Sequence, residues 1–309
     1  MSNSSQNTKT PVAFFVFNRP ETTELVFQEI RKARPATLLL VCDGPRPEVP
    51  SDIQRVEEVK RILDHVDWPC DVLKNYSEAN LGCRQRIQSG LSWVFSEVEK
   101  AIILEDDCLP SPSFFPFMDK ALSLYAHDDA VGMISGTSYL LPSKTSSDKY
   151  YFSALPHIWG WGTWRRVWQD YEPDAESWVN TDQWALLKRV FAYGVFRKSW
   201  KSTLDNIAMA STWDYQWAYS LWLHERLSLV PRANLVRNVG MDQAGTHTFS
   251  SSSHPQNPMG RFDAPEKLKR KKVKRSNFRD FAELTVFRAF AARQLGFLGT
   301  LKHAFSFRA

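Results

Sequence analysis

The sequence has few cysteines, and none of them are paired at a spacing that binds metal. Cys42, Cys70, Cys83 and Cys108 form no C-x-x-C motif, and four cysteines in 309 residues are too few for a disulfide scaffold. We therefore expect reduced thiols, as in a cytoplasmic protein. A zinc site built from cysteine and histidine ligands is not expected, because no such ligand spacing occurs.

Long apolar runs and nucleotide-binding glycine motifs are also missing. Residues 1–10 are polar and contain no apolar core of a secretion signal, and no stretch approaches the roughly 18 apolar residues that span a bilayer. These ten residues are predicted to be disordered and the protein to be soluble. Neither G-x-G-x-x-G nor G-x-x-x-x-G-K-[ST] occurs, so the sequence does not support a dinucleotide site or a P-loop.

The formal net charge of +5 is unevenly distributed along the chain. Residues 261–309 contain 13 Lys or Arg against 4 Asp or Glu, whereas residues 1–260 contain 26 against 30. The segment 249–263 is rich in serine and proline and is predicted to be a flexible loop or linker. Residues 264–309 are predicted to form a basic, amphipathic helical tail.

Two interpretations of this tail remain open. Its apolar residues recur at helical spacing: Phe278, Phe281, Leu284, Phe287, Ala291, Leu295 and Leu298. A basic amphipathic helix suits an anionic membrane surface, which predicts a cytoplasmic protein that associates peripherally with the inner membrane face. Alternatively, the apolar stripe packs on the main domain and the charges are solvated. Nucleic acid is not expected as a partner, because no nucleic-acid-binding module accompanies the charge.

Apolar runs alternate with helical stretches through the first half of the chain. The predicted strands are Pro11–Asn18, Thr37–Cys42, Cys70–Leu73 and Ala101–Leu104. The predicted helices are Glu21–Lys32, Ser51–His65 and Arg84–Val98, with Ser51 or Asp52 as the cap of the second. This alternation predicts an α/β fold with a mostly parallel sheet sandwiched by helices. Ligands of such sheets bind at the carboxyl ends of the strands.

Three adjacent acids follow the fourth strand, in the sequence I-I-L-E-D-D-C-L-P. Glu105, Asp106 and Asp107 should therefore emerge at the ligand-binding edge. Three carboxylates repel one another unless a cation lies among them, and hard oxygen ligands suit Mg²⁺ or Mn²⁺ with substrate phosphates completing the coordination. The alternative is a solvated acidic turn or a helix N-cap, where carboxylates are also favoured.

The second half is rich in tryptophan. Ten of the twelve Trp residues lie between Trp159 and Trp222, and flat amphipathic rings suit stacking on sugars and bases. We expect about two thirds of them to be core residues, with Trp164 and Trp168 on one helical face. Trp161, which follows Gly160 in a predicted loop, is the better pocket candidate together with Trp159.

These features together resemble a GT-A glycosyltransferase, specifically the inverting N-acetylglucosaminyltransferase I type. The longest match is the family's metal motif E-D-D-x-x-x-x-P-x-F-F, found here from Glu105 to Phe115. V-F-N-R-P from Val16 to Pro20 matches the opening of the nucleotide pocket, and Met133–Gly136 matches a V-S-A type strand. Ile158–Trp168 matches an aromatic, glycine-rich segment, and T-W-D-Y-Q-W from Thr212 matches F-W-D-D-W. The resemblance covers about residues 11–250.

The resemblance implies a GT-A catalytic domain over residues 11–248. Residues 11–136 would form the nucleotide-sugar half and residues 137–248 the acceptor half. It also implies a site that holds the nucleotide sugar, whose residues would be Asn18, Arg19, Asp43, Arg84, Asp106 and Trp161. Asp43 with Arg19 would hold the base, which in this family is uracil.

The resemblance further implies a metal site and a catalytic pair. Asp107 would bind Mn²⁺ or Mg²⁺, with Asp106 through water and with His247 in G-T-H-T available as a further ligand. Asp214 would be the catalytic base and Glu105 would contact the donor sugar. The second Asp of the family's W-D-D-W is Tyr215 here, so the base is misassigned if the family uses that second position.

The predicted activity is metal-dependent transfer of a hexosyl or N-acetylhexosaminyl group. A nucleoside diphosphate sugar, most simply a UDP sugar, would donate it to the hydroxyl of a glycan or lipid-linked acceptor, with inversion by direct displacement. One alternative is an inactive carbohydrate-binding protein on the same fold. Another is a nucleotidyltransferase or phosphohydrolase, although a nucleotidyltransferase favours a glycine-rich, basic loop after the first strand where this chain has F-N-R-P-E-T.

Overall fold

The computed structural model describes residues 7–140, 148–240, 259 and 268–289. An eight-stranded sheet with the order β3-β2-β1-β4-β8-β6-β9-β7 runs through the molecule. Helices cover the sheet, which confirms the predicted α/β class. No helix in these described stretches is long and apolar enough to cross a membrane.

The first half forms the parallel part of the sheet. Its strands are β1 (Val12–Val16), β2 (Thr37–Cys42), β3 (Asp71–Tyr76) and β4 (Lys100–Glu105), and its helices are α1 (Pro20–Ala33), α2 (Ser51–Leu63) and α3 (Gly82–Glu97). β1 pairs in parallel with both β2 and β4, and β2 pairs in parallel with β3. The carboxyl ends of these four strands therefore share one edge, as the sequence predicts.

Sequence and packing agree closely in this half. All five residues of β1 are buried, as expected of a strand covered on both faces. Pro20 begins α1, where its missing N–H costs nothing. The predicted cap of α2 is wrong, because the helix follows Pro50 without a side-chain cap and the Asp52 carboxylate turns to other partners.

The second half adds mixed and antiparallel pairing. Its strands are β5 (Cys108–Pro110), β6 (Val131–Ser135), β7 (Tyr150–Ser153), β8 (Trp161–Trp164), β9 (Leu227–Pro231) and β10 (Val236–Asn238). Its helices are α4 (Phe114–Leu124), α5 (Arg165–Trp168), α6 (Gln183–Val190), α7 (Gly194–Asp205) and α8 (Asp214–Leu223), with short 3₁₀ turns at Glu176–Asn180 and Ile207–Met209. β8 lies between β4 and β6, antiparallel to both. β5 and β10 form a separate two-stranded sheet.

The tryptophans mostly build cores, as predicted. Seven of the ten between Trp159 and Trp222 are buried. The prediction of a loop at Trp161 is wrong, because this residue begins β8 and its side chain is 0% exposed. The helical face predicted for Trp164 and Trp168 is also wrong, since Trp164 ends β8 and only Trp168 lies in the short helix α5.

The C-terminal segment folds back onto the edge of the sheet. Arg275 forms a parallel bridge with Phe152 of β7, and residues 277–289 are helical (α9). Asp280 and Glu283 of α9 are 1% and 0% exposed. Leu284 packs on the core formed by α6, α7 and α8. Of the described apolar stripe, Leu284 and Phe287 thus pack on the main body, whereas Phe278 and Phe281 are exposed. The linker 249–263 lies outside the described residues apart from residue 259.

Candidate active site

The acids of the E-D-D motif lie at the end of β4, where a buried apolar strand turns into β5. Glu105 is the last residue of β4 and is aligned with Phe15 of β1. The Asp106 carboxylate accepts a hydrogen bond from the backbone N–H of Phe17 at 3.2 Å. The acids therefore reach the carboxyl edge of the sheet, beside the loop that follows β1.

Arg19, at the start of α1, bridges two of these acids. Its Nη1 lies 3.1 Å from Asp107 Oδ2 and 3.4 Å from Asp106 Oδ1. Burial lowers the pKa of Arg19, but the fields of Asp106, Asp107 and Glu105 outweigh it, so the pKa is raised overall. The guanidinium therefore stays charged and compensates part of the negative charge.

One guanidinium does not neutralise three carboxylates. Burial, followed by the charges of Asp107 and Asp106, raises the pKa of Glu105 to about 8. Burial also raises the pKa of Asp106 to about 7, against the lowering effect of Arg19. The raised pKa values mean that the ionised carboxylates are disfavoured, so a bound cation would stabilise them.

The donor set fits a hard divalent ion that is shared with a ligand. No three His, Cys, Asp or Glu side chains are arranged to hold a metal ion within the part of the chain that the structure describes. Mg²⁺ commonly uses only one or two carboxylates and completes its octahedron with phosphate oxygens and water. Asp106 and Asp107 match that requirement, whereas His247 lies outside the described residues.

Asp214 joins the cluster from the second half of the chain. It is the first residue of α8, and its carboxylate accepts a hydrogen bond from the Thr212 hydroxyl. Its charge contributes to raising the pKa of Glu105 and, after burial and Glu105, to raising that of the Cys83 thiol to about 12. The fold therefore brings Asp214 close enough to Glu105 for their charges to interact, although more than 100 residues separate the two.

Asp43, at the end of β2, holds the loop that precedes α3. Its two oxygens accept from the backbone N–H groups of Gly44, Leu81 and Gly82 at 2.9 to 3.0 Å and from Asn80 Nδ2 at 3.1 Å. Burial outweighs these bonds and raises the pKa of Asp43. The carboxylate is 5% exposed, so its visible role is to shape this loop. Recognition of a base by Asp43 stays a prediction.

Asn18 belongs to a second network that sequence reasoning missed. Its Nδ2 donates to Asp52 Oδ1 at 2.7 Å, and its carbonyl oxygen accepts from Arg55 Nε at 2.7 Å. Asp52 also pairs with Arg46 at 2.6 Å. The loop that carries Arg19 is thereby fixed to α2. An aspartate in the first turn of a helix gives no sequence sign of this contact, because helix starts favour acids anyway.

Two predicted nucleotide-binding residues have other partners. Arg84 donates to the carbonyl oxygens of Pro173, Ala208 and Ala210 and to the Asp174 carboxylate, so it ties α3 to loops of the second half. Trp161 stacks on Trp213 with ring centroids 5.6 Å apart and interplanar angle 23°. These contacts favour structural roles for both side chains over contact with a nucleotide.

Gly240 packs closely against Asp107, and sequence reasoning also missed this contact. A Cβ at this position would lie 2.7 Å from Asp107 Oδ2 and 3.2 Å from Arg19 Nη1. The backbone N–H of Val239 donates to the Asp107 carbonyl at 2.8 Å. The chain after β10 therefore packs directly against the acids, where only a glycine leaves enough room.

Comparison with known proteins gives only distant structural similarity. No family model and no curated protein matches the sequence. UDP-glucose pyrophosphorylase in complex with UDP-glucose is 11% identical, over 52% of this chain and 78% of that chain, with a TM-score of 0.32. The 4-diphosphocytidyl-2C-methyl-D-erythritol synthase of Anaerococcus prevotii is 12% identical, over 59% and 80%, with a TM-score of 0.34. The inositol-1-phosphate CTP transferase of T. maritima is 13% identical, over 54% and 76%, with a TM-score of 0.30. At such distances the assignment of a reaction rests on the site itself.

Proposed function

We propose that the chain transfers a glycosyl group from a nucleoside diphosphate sugar to an acceptor hydroxyl. The observation that carries this proposal is the pairing of Asp106 and Asp107 with Arg19 at the carboxyl edge of the sheet, with Asp214 close enough to Glu105 for their charges to interact. An excess of carboxylates over cations suits a divalent ion that arrives with a diphosphate. A separate carboxylate from the other half of the fold suits a base for the acceptor.

Asp107 and Asp106 would hold Mn²⁺ or Mg²⁺ in this proposal. When bound, the ion would supply the positive charge that stabilises the departing diphosphate. Arg19 lies on the same two carboxylates, so we assign it to the phosphates rather than to the base. Glu105 would contact the donor sugar, and Asp106 would also reach the ribose or the metal through water.

Asp214 would accept the proton of the attacking hydroxyl. A single carboxylate placed opposite the leaving group is enough for direct displacement with inversion. Tyr215, which occupies the alternative position of the base, does not suit this role, because burial followed by the charge of Asp214 raises its pKa to about 12. A neutral phenol is a poor proton acceptor at neutral pH.

Nucleotidyl transfer is the second candidate, because the three solved structures named above are nucleotidyltransferases. In that reaction the attacking group would be a sugar phosphate and the leaving group pyrophosphate. The loop after β1 contains no glycine and supplies one cation, Arg19, which is engaged with two carboxylates. This arrangement favours glycosyl transfer.

One assay separates the two reactions. The chain is incubated with a panel of nucleotide sugars, and in parallel with nucleoside triphosphates and sugar 1-phosphates, in Mn²⁺ or in chelator. Mn²⁺-dependent release of nucleoside diphosphate supports glycosyl transfer, and release of pyrophosphate supports the second candidate. Binding of sugars with neither reaction and no effect of metal would favour the inactive carbohydrate-binding protein.

A further inference from the structure

The C-terminal segment presents a row of cations to solvent. Tyr150 donates through its hydroxyl to the Lys269 carbonyl at 2.7 Å, which holds the segment along the body. The side chains of Lys269, Lys272 and Lys274 are exposed. In contrast, Lys271 points back and pairs with Asp148. The segment therefore has an attached side and a cationic side.

Exposed apolar side chains continue this cationic row. Phe278, in the first turn of α9, is 80% exposed. Phe281 is 37% exposed and lies 4.4 Å from the ring of Tyr193, which is itself 49% exposed. Val195 of α7 adds another apolar side chain that is 40% exposed. The apolar patch is thus formed by α7 and α9 together, which the sequence pattern of the tail alone does not show.

The other side of α9 is already occupied. Phe287 contacts the Tyr139 ring at 4.7 Å, and Glu283 pairs with His157 at 2.7 Å. Asp280 accepts from the Ser153 hydroxyl at 2.6 Å. The two acids of residues 268–289 are therefore turned inward, whereas the eight Lys and Arg of the same stretch include those of the exposed row. Neither of these two acids is therefore exposed beside Lys269, Lys272 and Lys274.

We propose that this surface, formed by Lys269, Lys272, Lys274, Phe278, Phe281 and Tyr193 and named here the C-terminal face, docks on an anionic phospholipid surface. Cations near such a surface are attracted to its negative potential, while exposed aromatic rings insert at the level of the headgroups. The positive charge of the described C-terminal face thus favours an anionic lipid partner. The inference does not depend on the proposed reaction.

The test is sedimentation of the full chain with vesicles of phosphatidylcholine alone or mixed with phosphatidylglycerol, at low and high salt. The variants are Lys272→Glu with Lys274→Glu, and separately Phe278→Ser. Lys9→Glu with Arg61→Glu reverses two exposed cations elsewhere and is the charge control, and Val179→Ser replaces an apolar side chain that is 78% exposed.

The wild type should bind the mixed vesicles at low salt and dissociate from them at high salt. Loss of one lysine near an anionic surface weakens binding about fivefold, so the double reversal should weaken it by at least about tenfold. Phe278→Ser should weaken it as well, and both controls should bind as the wild type does. Equal binding to both vesicle types, no binding to either, or an equal loss in the charge control would each overturn the proposal.

Discussion

Asp214 differs from the other acids of the candidate site because a helix start, not a strand end, supplies it. Its carboxylate is fixed by the Thr212 hydroxyl and lies close enough to Glu105 for the two charges to interact. Such a group can act on an acceptor without also being needed for the donor. Substitution of Asp214 can therefore test whether donor binding and activation of the acceptor depend on different residues.

Replacement of Asp214 by Asn should preserve donor binding and remove transfer. Loss of a general base costs about 10²- to 10⁴-fold in turnover. Tyr215→Phe is the matched control, since it alters the neighbouring candidate while leaving the carboxylate, and it should keep most activity. Steady-state kinetics would measure turnover, and nucleotide titration would measure donor binding. Loss of turnover in Tyr215→Phe with retention in Asp214→Asn would assign the role of base to Tyr215.

At the scale of elements, α3 approaches β1 through Gly90. A Cβ at Gly90 would lie 2.5 Å from the Phe15 ring and 2.8 Å from Val41. This close packing positions the helix whose first residues hold the loop around Asp43. The contact therefore connects core packing to the shape of the site.

Gly90→Val should destabilise the fold, because it overpacks this contact. Overpacking of a core costs about 1–3 kcal/mol. Urea denaturation would measure the change, with Gly194→Ala as control, because a Cβ at Gly194 meets nothing within 4 Å. A Gly90→Val variant as stable as the wild type would show that α3 can move away from β1.

The loop after β1 depends on Asp52 of α2. The pKa of Asp52 is lowered mainly by the hydrogen bond from Arg46. Burial opposes this effect, and the hydrogen bond from Asn18 adds to it. The ionised Asp52 therefore stabilises the folded state. This stabilisation is complete at pH values above the pKa of Asp in the unfolded chain, about 3.9, and is lost as the pH falls through the lower pKa of the folded state.

The difference in unfolding free energy between the wild type and Asp52→Asn should therefore depend on pH. It should be constant from neutral pH down to about pH 5 and should shrink at lower pH. Denaturant titrations at several pH values would measure it. A difference that grows as the pH falls would contradict the assignment.

The sequence predicts some elements well for a physical reason. β1, β2 and β4 each contain a run of buried apolar residues, and the acids at the end of β4 lie at the predicted edge. β8 was missed because W-G-T-W has only four residues and is held by pairing with β4 and β6 from distant parts of the chain. The local sequence pattern of a strand carries no information on which distant strands it pairs with.

At the scale of the whole molecule, the C-terminal segment completes the fold. Asp280 accepts from Ser153, from the backbone N–H of Ala154 and from Arg275, and it is 1% exposed. Sequence reasoning places such an acid on the solvated side of a basic helix. It could not foresee the burial, because two of the three hydrogen-bond donors, Ser153 and Ala154, lie more than 120 residues earlier.

Asp280→Ala should lower the stability of the entire chain. Removing one partner of a buried ion pair costs about 3–5 kcal/mol. Asp129→Ala is the control, since this carboxylate is 90% exposed and its pair with Arg166 is long, at 3.3 Å. Thermal and urea unfolding would report the difference. Equal stability of the two variants would show that α9 is not integrated with the body.

The proposed function requires that Asp107 bind a nucleoside diphosphate through a divalent ion. Its most direct test is calorimetric titration of a panel of nucleoside diphosphates into wild type and Asp107→Asn, with Mn²⁺ and with chelator, on samples shown to be folded. We predict binding that requires Mn²⁺ in the wild type and is lost in the variant. Binding that is equally tight in chelator, or unchanged in Asp107→Asn, would contradict the account.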